Sequence, residues 1–378
     1  MLESLEINNF RCLKEFKIPS LKRINLFTGK NNTGKSSILE AIAIYATKGN
    51  LQLIGQLLDE RGENIQLNEK NSVENNLKIF SSLFTDRIIG FDSENTISIG
   101  EIENTASEEN KLPSNTITLR FVKYTDDDGQ RFVTKIKTLF EQNGEDDIIG
   151  DVYKLGIEIG NGDTNKIFPL EDTERIFRYG IGFNHRSLFN SRTLQYVRGR
   201  NIDSENNSQL FDNIALTDKE QNVIDSLKII EPATERIAFV GEDTRKRVAV
   251  IKLSDSQKVL SLKSMGDGIN RVLTMILALV NADNSFLLID EFENGLHYTI
   301  QEQLWKIIFL MSQRLNVQVF ATTHSNDCIE TFESVLNSSG NTQAGKLIRL
   351  DNKNGTIIPV EFDAKDLEII NRNDIEIR

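Results

Sequence analysis

Gly29-Lys30-Asn31-Asn32-Thr33-Gly34-Lys35-Ser36 places two glycines, separated by four residues, ahead of Lys and Ser, the pattern of a loop that cradles phosphate. The glycines let the backbone wrap closely around an anion, and successive N–H groups at a helix N-terminus point at it. Lys35 is suited to reach the β- and γ-phosphates, and the Ser36 hydroxyl to ligate Mg²⁺. The candidate nucleotide-binding set is therefore Gly29, Lys30, Asn31, Asn32, Thr33, Gly34, Lys35, Ser36 and Ser37. Two further stretches carry chemistry of the same kind. Phe286-Leu287-Leu288-Ile289-Asp290-Glu291 is an apolar run ending in two carboxylates, of which Asp290 would support Mg²⁺ and Glu291 would polarise the attacking water. Val317 to Thr322 is another apolar run, ending in Thr323-His324-Ser325, and His324 is the candidate γ-phosphate contact.

These residues need a sheet edge to meet on. Arg23 to Thr28 reads as a strand entering the loop, and Ser36 to Ile42 has the spacing of an amphipathic helix leaving it. The runs that end in Asp290-Glu291 and near His324 read as buried parallel strands, which deliver polar residues to their C-terminal ends. Lys346 to Leu350 and Thr356 to Val360 read as closing strands. Elsewhere, Leu51 to Leu58 and Val73 to Leu83 have helical spacing, and Thr217-Asp218-Lys219-Glu220 is a capping box opening a helix. Strand signals lie at Thr96 to Glu101, Thr116 to Tyr124, Arg236 to Val240 and Arg247 to Leu253. Asp126-Asp127-Asp128-Gly129 reads as a hairpin turn rather than a metal site.

A second anion site is encoded where Ser264, Gly266, Asp267 and Gly268 precede the apolar helix from Val272 to Val280. One chain needs one triphosphate cradle, so this one would serve the nucleotide of another subunit. Arg11, in the turn region before the loop strand, reads equally as a surface charge or as a phosphate contact.

Together, Gly29–Ser36, Ser264-Met265-Gly266-Asp267-Gly268, Asp290-Glu291 and His324 resemble the ABC-type ATPase heads of the SMC, Rad50, RecF and OLD proteins. The match is closest to the OLD-like AAA15/AAA21 group, on Ile7-Asn8-Asn9-Phe10-Arg11 and Glu291-Phe292-Glu293-Asn294-Gly295-Leu296-His297. The resemblance implies an α/β ABC-type P-loop NTPase head, a mixed sheet flanked by helices, with an inserted α+β lobe. It implies ATP and Mg²⁺, sandwiched so that Ser264 and Gly266 of one subunit face the γ-phosphate held by Lys35 of the other, in a homo-oligomer of paired heads. The segments expected are residues 1–60 and 215–350 for the two halves of the head, 61–214 for the inserted lobe, and 351–378 for a tail. The glutamine that contacts Mg²⁺ in such heads is left open among Gln52, Gln56 and Gln195. Only about fifty residues follow His324, below the ordinary size of a domain, so a Toprim nuclease half is not expected. The resemblance then extends to ATPase subunits of anti-phage systems such as PARIS or Septu, and implies an effector partner, a toxin or nuclease encoded nearby.

Composition bounds these readings. The 378 residues carry 44 basic and 56 acidic side chains, a formal net charge of −12, so the overall field does not attract nucleic acid. A RecF-like DNA-binding repair ATPase, the alternative reading, needs a local patch. The candidate is His185, Arg186, Arg192, Arg198 and Arg200 interleaved with Phe189 and Tyr196, together with Arg245-Lys246-Arg247. A solvated or internally paired surface fits that cluster better. A nuclease built from Asp126 to Asp128 and Glu145 to Asp147 is the weakest reading. Cys12 and Cys328 read as reduced, buried thiols of a cytoplasmic protein. The start lacks a signal-peptide pattern, and the apolar runs are too short to span a bilayer, so no membrane is expected.

Overall fold

A computed structural model describes residues 1–63, 73–102, 115–127, 130–133, 153–162, 164–172, 190–191, 194–199, 204–241, 247–255, 258–338 and 340–372. The chain forms two compact units, one of Met1–Glu3, Ile18–Leu39 and Arg186–Arg378, the other of Ser4–Lys17 and Glu40–His185. These limits divide the chain differently from the four segments expected, because strand pairing between distant residues draws them. Leu5–Phe10 pairs antiparallel with Ile97–Gly100, Glu6 opposite Gly100, which carries the N-terminal strands into the second unit.

The first unit is built on a seven-stranded sheet. The loop strand, Ile24–Thr28, lies between the histidine strand, Gln318–Thr322, and the strand Gly345–Lys353, parallel to both. Beyond the histidine strand comes the acid strand, Phe286–Ile289, then Leu194–Val197, again parallel. Thr356–Phe362 and Asn190–Ser191 close the two edges antiparallel, making the sheet mixed. Every residue of the loop and histidine strands is buried, which is why they read as mostly apolar runs without a polar face. Parallel pairing sets the C-terminal ends of four strands, Thr28, Val197, Ile289 and Thr322, along one edge.

Helices build the core of this unit. The helix Asp267–Asn281 is called the signature helix after the Ser264-to-Gly268 signature segment at its head, and its Val272, Leu273, Ile276 and Val280 are fully buried. Trp305, on the helix Tyr298–Arg314, stacks on Phe292 with ring centroids 4.0 Å apart and planes 6° from parallel. Phe292 lies between Glu291 and Glu293, so its burial pins both acids to the core. Thr217 caps the helix Asp218–Ile230, its hydroxyl accepting from the Lys219 amide. Thr234–Val240, Val248–Leu253 and Val259–Ser261 form a separate antiparallel sheet.

The second unit is an antiparallel sheet with the helices Leu51–Glu60 and Val73–Ser81. Its strand Ile117–Asp127 pairs with Gln130–Val133, and Asp126 lies opposite Arg131 with an ion pair at 3.4 Å, consistent with the hairpin reading. Asp128 and Gly129 lie outside the described residues, as do Glu145 to Asp147. No helix among the described residues is long and apolar enough to cross a membrane. Cys328 is buried but Cys12 is exposed, because Cys12 lies in the turn between two strands rather than on the core face of one.

Candidate nucleotide-binding and hydrolysis site

The loop turns out of its strand at Gly29, whose φ is +134°. A β-carbon there would lie 2.5 Å from the carbonyl oxygen of Leu350 on the neighbouring strand, so only glycine fits. Asn32 (φ +63°) and Gly34 (φ +84°) complete the wrap, and the helix Lys35–Ala46 begins at once. Thr33 Oγ1 donates to the Lys30 carbonyl at 2.8 Å, bracing the loop from within. Lys30 and Asn31 are exposed at its tip, and Ser37 is buried one position beyond Ser36.

Lys35 is folded back on the loop, its Nζ donating to the carbonyls of Gly29 (2.6 Å) and Lys30 (2.8 Å). Burial lowers its pKa from 10.5 to about 8, against the opposing pull of Asp290, Glu293 and Glu291. A buried ammonium on two neutral carbonyls suits an arriving polyanion, which would restore the charge pairing.

Ser36 Oγ donates to the Asp290 carboxylate, 3.1 Å from Oδ2, so a hydroxyl and a carboxylate converge from loop and acid strand. They fit Mg²⁺, which takes one or two protein oxygens and completes its octahedron with phosphate and water. Among the described residues no group of three or more His, Cys, Asp or Glu could hold a metal. Thr322 Oγ1 donates to Asp290 Oδ1 at 2.5 Å and accepts the Glu291 amide at 2.9 Å. Thr323 Oγ1 donates to Glu293 Oε2 (2.8 Å) and the His324 amide donates to Glu293 Oε1 (2.7 Å). The His324 pKa is lowered, first by burial and next by the Lys35 charge, while Glu293, Glu291 and Asp290 oppose. A neutral imidazole beside Lys35 can hydrogen-bond a phosphate oxygen without adding charge.

The structure therefore brings together Lys35, Ser36, Asp290, Glu291 and His324. Asp267 and Gly268 open the signature helix, and a β-carbon on Gly268 would stand 3.1 Å from the carbonyl oxygen of Gly295. Ser264 and Gly266 are exposed just before the signature helix, and Ser264 Oγ donates to the Ser261 carbonyl. Arg11 belongs to the second unit, where it pairs with Glu40 (2.6 Å) and Glu63 (3.1 Å); its charge is committed to those carboxylates. Gln195 is buried within its strand, opposite Leu287 and short of the edge, whereas Gln52 and Gln56 lie in the second unit. The residue at the edge of that strand is Arg198, whose guanidinium lies over the Tyr196 ring. Arg247 pairs with Asp212 at 2.6 Å. His185, Arg186, Phe189, Arg192, Arg200, Arg245 and Lys246 lie outside the described residues.

Three contributors carried no assigned role in the sequence. Thr322 and Thr323 look like an ordinary strand end until the acids they hold are placed beside them. Gly199 follows the strand next to the acid strand, and a β-carbon on it would stand 2.2 Å from Glu291 Oε2. The only trace in the sequence is a glycine after an apolar run.

A family model described as "AAA domain, putative AbiEii toxin, Type IV TA system" matches residues 24–329, from the loop strand through the histidine strand. The chain belongs to this AAA_21 family. It is thus an ATPase with an α/β P-loop head. One relative of this AAA_21 chain, a Helicobacter pylori protein named "ATP/GTP phosphatase", is 26% identical over 99% of both chains. An uncharacterized Methanocaldococcus jannaschii protein is 44% identical over 61 residues, 16% of this chain and 28% of its own length. Among solved structures, the SMC head domain from Thermotoga maritima aligns over 96% of this chain and 99% of its own at 13% identity, TM-score 0.43. A Pyrococcus furiosus Smc head bound to the C-terminal domain of ScpA aligns over 99% of each at 12% identity, TM-score 0.48.

Proposed function

We infer that this ATPase closes as a pair of heads around Mg-ATP and, by closing and opening, controls a separately encoded effector protein. The observation that carries the reading is the signature segment. Ser264 and Gly266 are exposed at a helix N-terminus, and a β-carbon on Gly266, whose φ is +105°, would meet nothing within 4 Å. Exposed backbone at the head of a helix is suited to an anion, and within its own chain the phosphate loop already supplies a cradle. A second copy presenting its loop-bound γ-phosphate would complete both sites at once.

Within each site, the loop amides and Lys35 would hold the phosphates, and Ser36 with Asp290 would hold Mg²⁺, which neutralises charge on the transferring phosphoryl group. Glu291 would take the proton of the attacking water and His324 would contact the γ-phosphate. Hydrolysis removes the group both subunits touch, so the pair opens. The family description, which carries a toxin and a type IV toxin–antitoxin system, supports a partner protein encoded nearby and a cytoplasmic role in defence against phage. The relative named for both ATP and GTP makes GTP the competitor to assay.

Mixing two inactive variants tests the shared site. Lys35→Ala removes the cradle but keeps the signature, and Ser264→Arg does the reverse. Their mixture rebuilds one intact site, so ATPase activity should return on mixing; if each variant stays inactive in the mixture, the signature does not act across subunits. Co-purification with neighbouring gene products, with and without ATP, tests the effector, and no association in either state removes that part.

A further inference from the structure

Arg271 interrupts an apolar helix. It stands one turn into the signature helix, directly before Val272, and is 2% exposed. Its Nη2 donates to the backbone carbonyls of Asp290 (3.1 Å) and Glu291 (3.2 Å), and its Nη1 donates to the carbonyl of Arg198. Burying a guanidinium is unfavourable, and here the burden is accepted in order to hold three main-chain oxygens at the ends of two adjacent strands.

The carbonyl of Glu291 is an unusual one to hold. Glu291 has φ +51°, a left-handed conformation that is strained for a residue with a side chain and persists only where surroundings enforce it. That turn sends Phe292 into the core and leaves the Glu291 carboxylate against Gly199. Its amide is fixed by Thr322 Oγ1 and its carbonyl by Arg271 together with the Asn294 amide (3.0 Å), so both peptide groups flanking the strained residue are clamped. The planar fork of arginine can reach several carbonyls at once, whereas a lysine is a point donor.

We propose that Arg271 is a positioning residue for hydrolysis, clamping the strained backbone of Glu291 so that its carboxylate is aimed at the attacking water. This rests on the reading of Glu291 as general base. Arg271 acts through the backbone of the acid, to which its guanidinium donates.

The test compares Arg271→Lys, Arg271→Met, Glu291→Gln and the double variants in the full-length chain, reading ATP affinity with a fluorescent ATP analogue, kcat with MgATP, and unfolding temperature. A misaimed base costs about 100-fold in rate, so Arg271→Met should lower kcat by about that factor with affinity little changed. Arg271→Lys, which keeps the buried charge, should recover only part of the loss. Combined with Glu291→Gln, either substitution should add little further loss, because the group being aimed is already disabled. Parental kcat in both variants, losses that multiply with Glu291→Gln, or failure of both variants to fold would each overturn the proposal. Parental hydrolysis by Glu291→Gln alone would instead overturn the assignment of the base, independently of what Arg271 does.

Discussion

A β-carbon on Gly199 would stand 2.2 Å from Oε2 of Glu291. The absence of a side chain at the end of one strand is what lets the acid from the next strand lie where it does. Gly199→Ala should therefore displace the flexible end of Glu291 rather than the fold. The expected outcome is a fall in kcat of about 100-fold, the cost of an ångström-scale misplacement, with ATP affinity and unfolding temperature close to parental. Steady-state hydrolysis alongside equilibrium nucleotide binding checks the split.

Thr322 links two acids through one hydroxyl, donating to Asp290 and accepting from the Glu291 amide. Thr322→Val keeps the shape, removes one of the two hydroxyls on Asp290 and leaves the part-buried Glu291 amide without its partner, which costs about 1–3 kcal/mol of stability. Its Mg²⁺ requirement should rise as Asp290 loses its orientation, and Thr322→Ser should restore both. Urea denaturation and a Mg²⁺ titration of hydrolysis measure these effects.

Lys35 gives a pH signature. Burial lowers its pKa from 10.5 to about 8, whereas the unfolded chain keeps the proton up to about 10.4. Between those values the unfolded state binds more protons, so the strain of burying this ammonium is fully present below pH 8 and is relieved as pH rises. The nucleotide-free Lys35→Met protein should be more stable than the parent at pH 7, and that advantage should shrink by pH 10. Denaturation midpoints of the two proteins across this range give the sign. Lys35→Met should also lose nucleotide binding, since the phosphates lose their principal cation.

Glu293 ties the segment after the acids to the histidine loop, taking the Thr323 hydroxyl and the His324 amide on its two oxygens. Glu293→Gln removes the charge and forces the Thr323 hydroxyl to turn from donor to acceptor if both contacts are to be kept. Hydrolysis should fall more than ATP affinity, and the same loss should appear in His324→Ala without adding to it. A double-mutant cycle reads the coupling.

The chemistry was legible where it is local. Gly29 to Ser36 announces itself because one short segment must supply the turn, the amides, the cation and the hydroxyl. The acid and histidine strands show as apolar runs because both faces of each are buried. What decides strand order and partners lies far apart in the chain, and no local pattern records it. Arg11 illustrates this: its type suits phosphate, yet Glu40 and Glu63, distant in sequence, take its charge. Gln195 was one of three equal candidates until its register placed it opposite Leu287, inside the sheet. Arg271 was hidden for the same reason, since the carbonyls it holds belong to other elements and carbonyls carry no signature in sequence.

The central claim is that ATP joins two heads, and light scattering on the Glu291→Gln protein tests it most directly, because that variant should bind ATP and hydrolyse it slowly. The mass should double on adding Mg-ATP and return to its starting value when the nucleotide is removed. An unchanged mass under saturating Mg-ATP, with binding confirmed in the same sample, would contradict it.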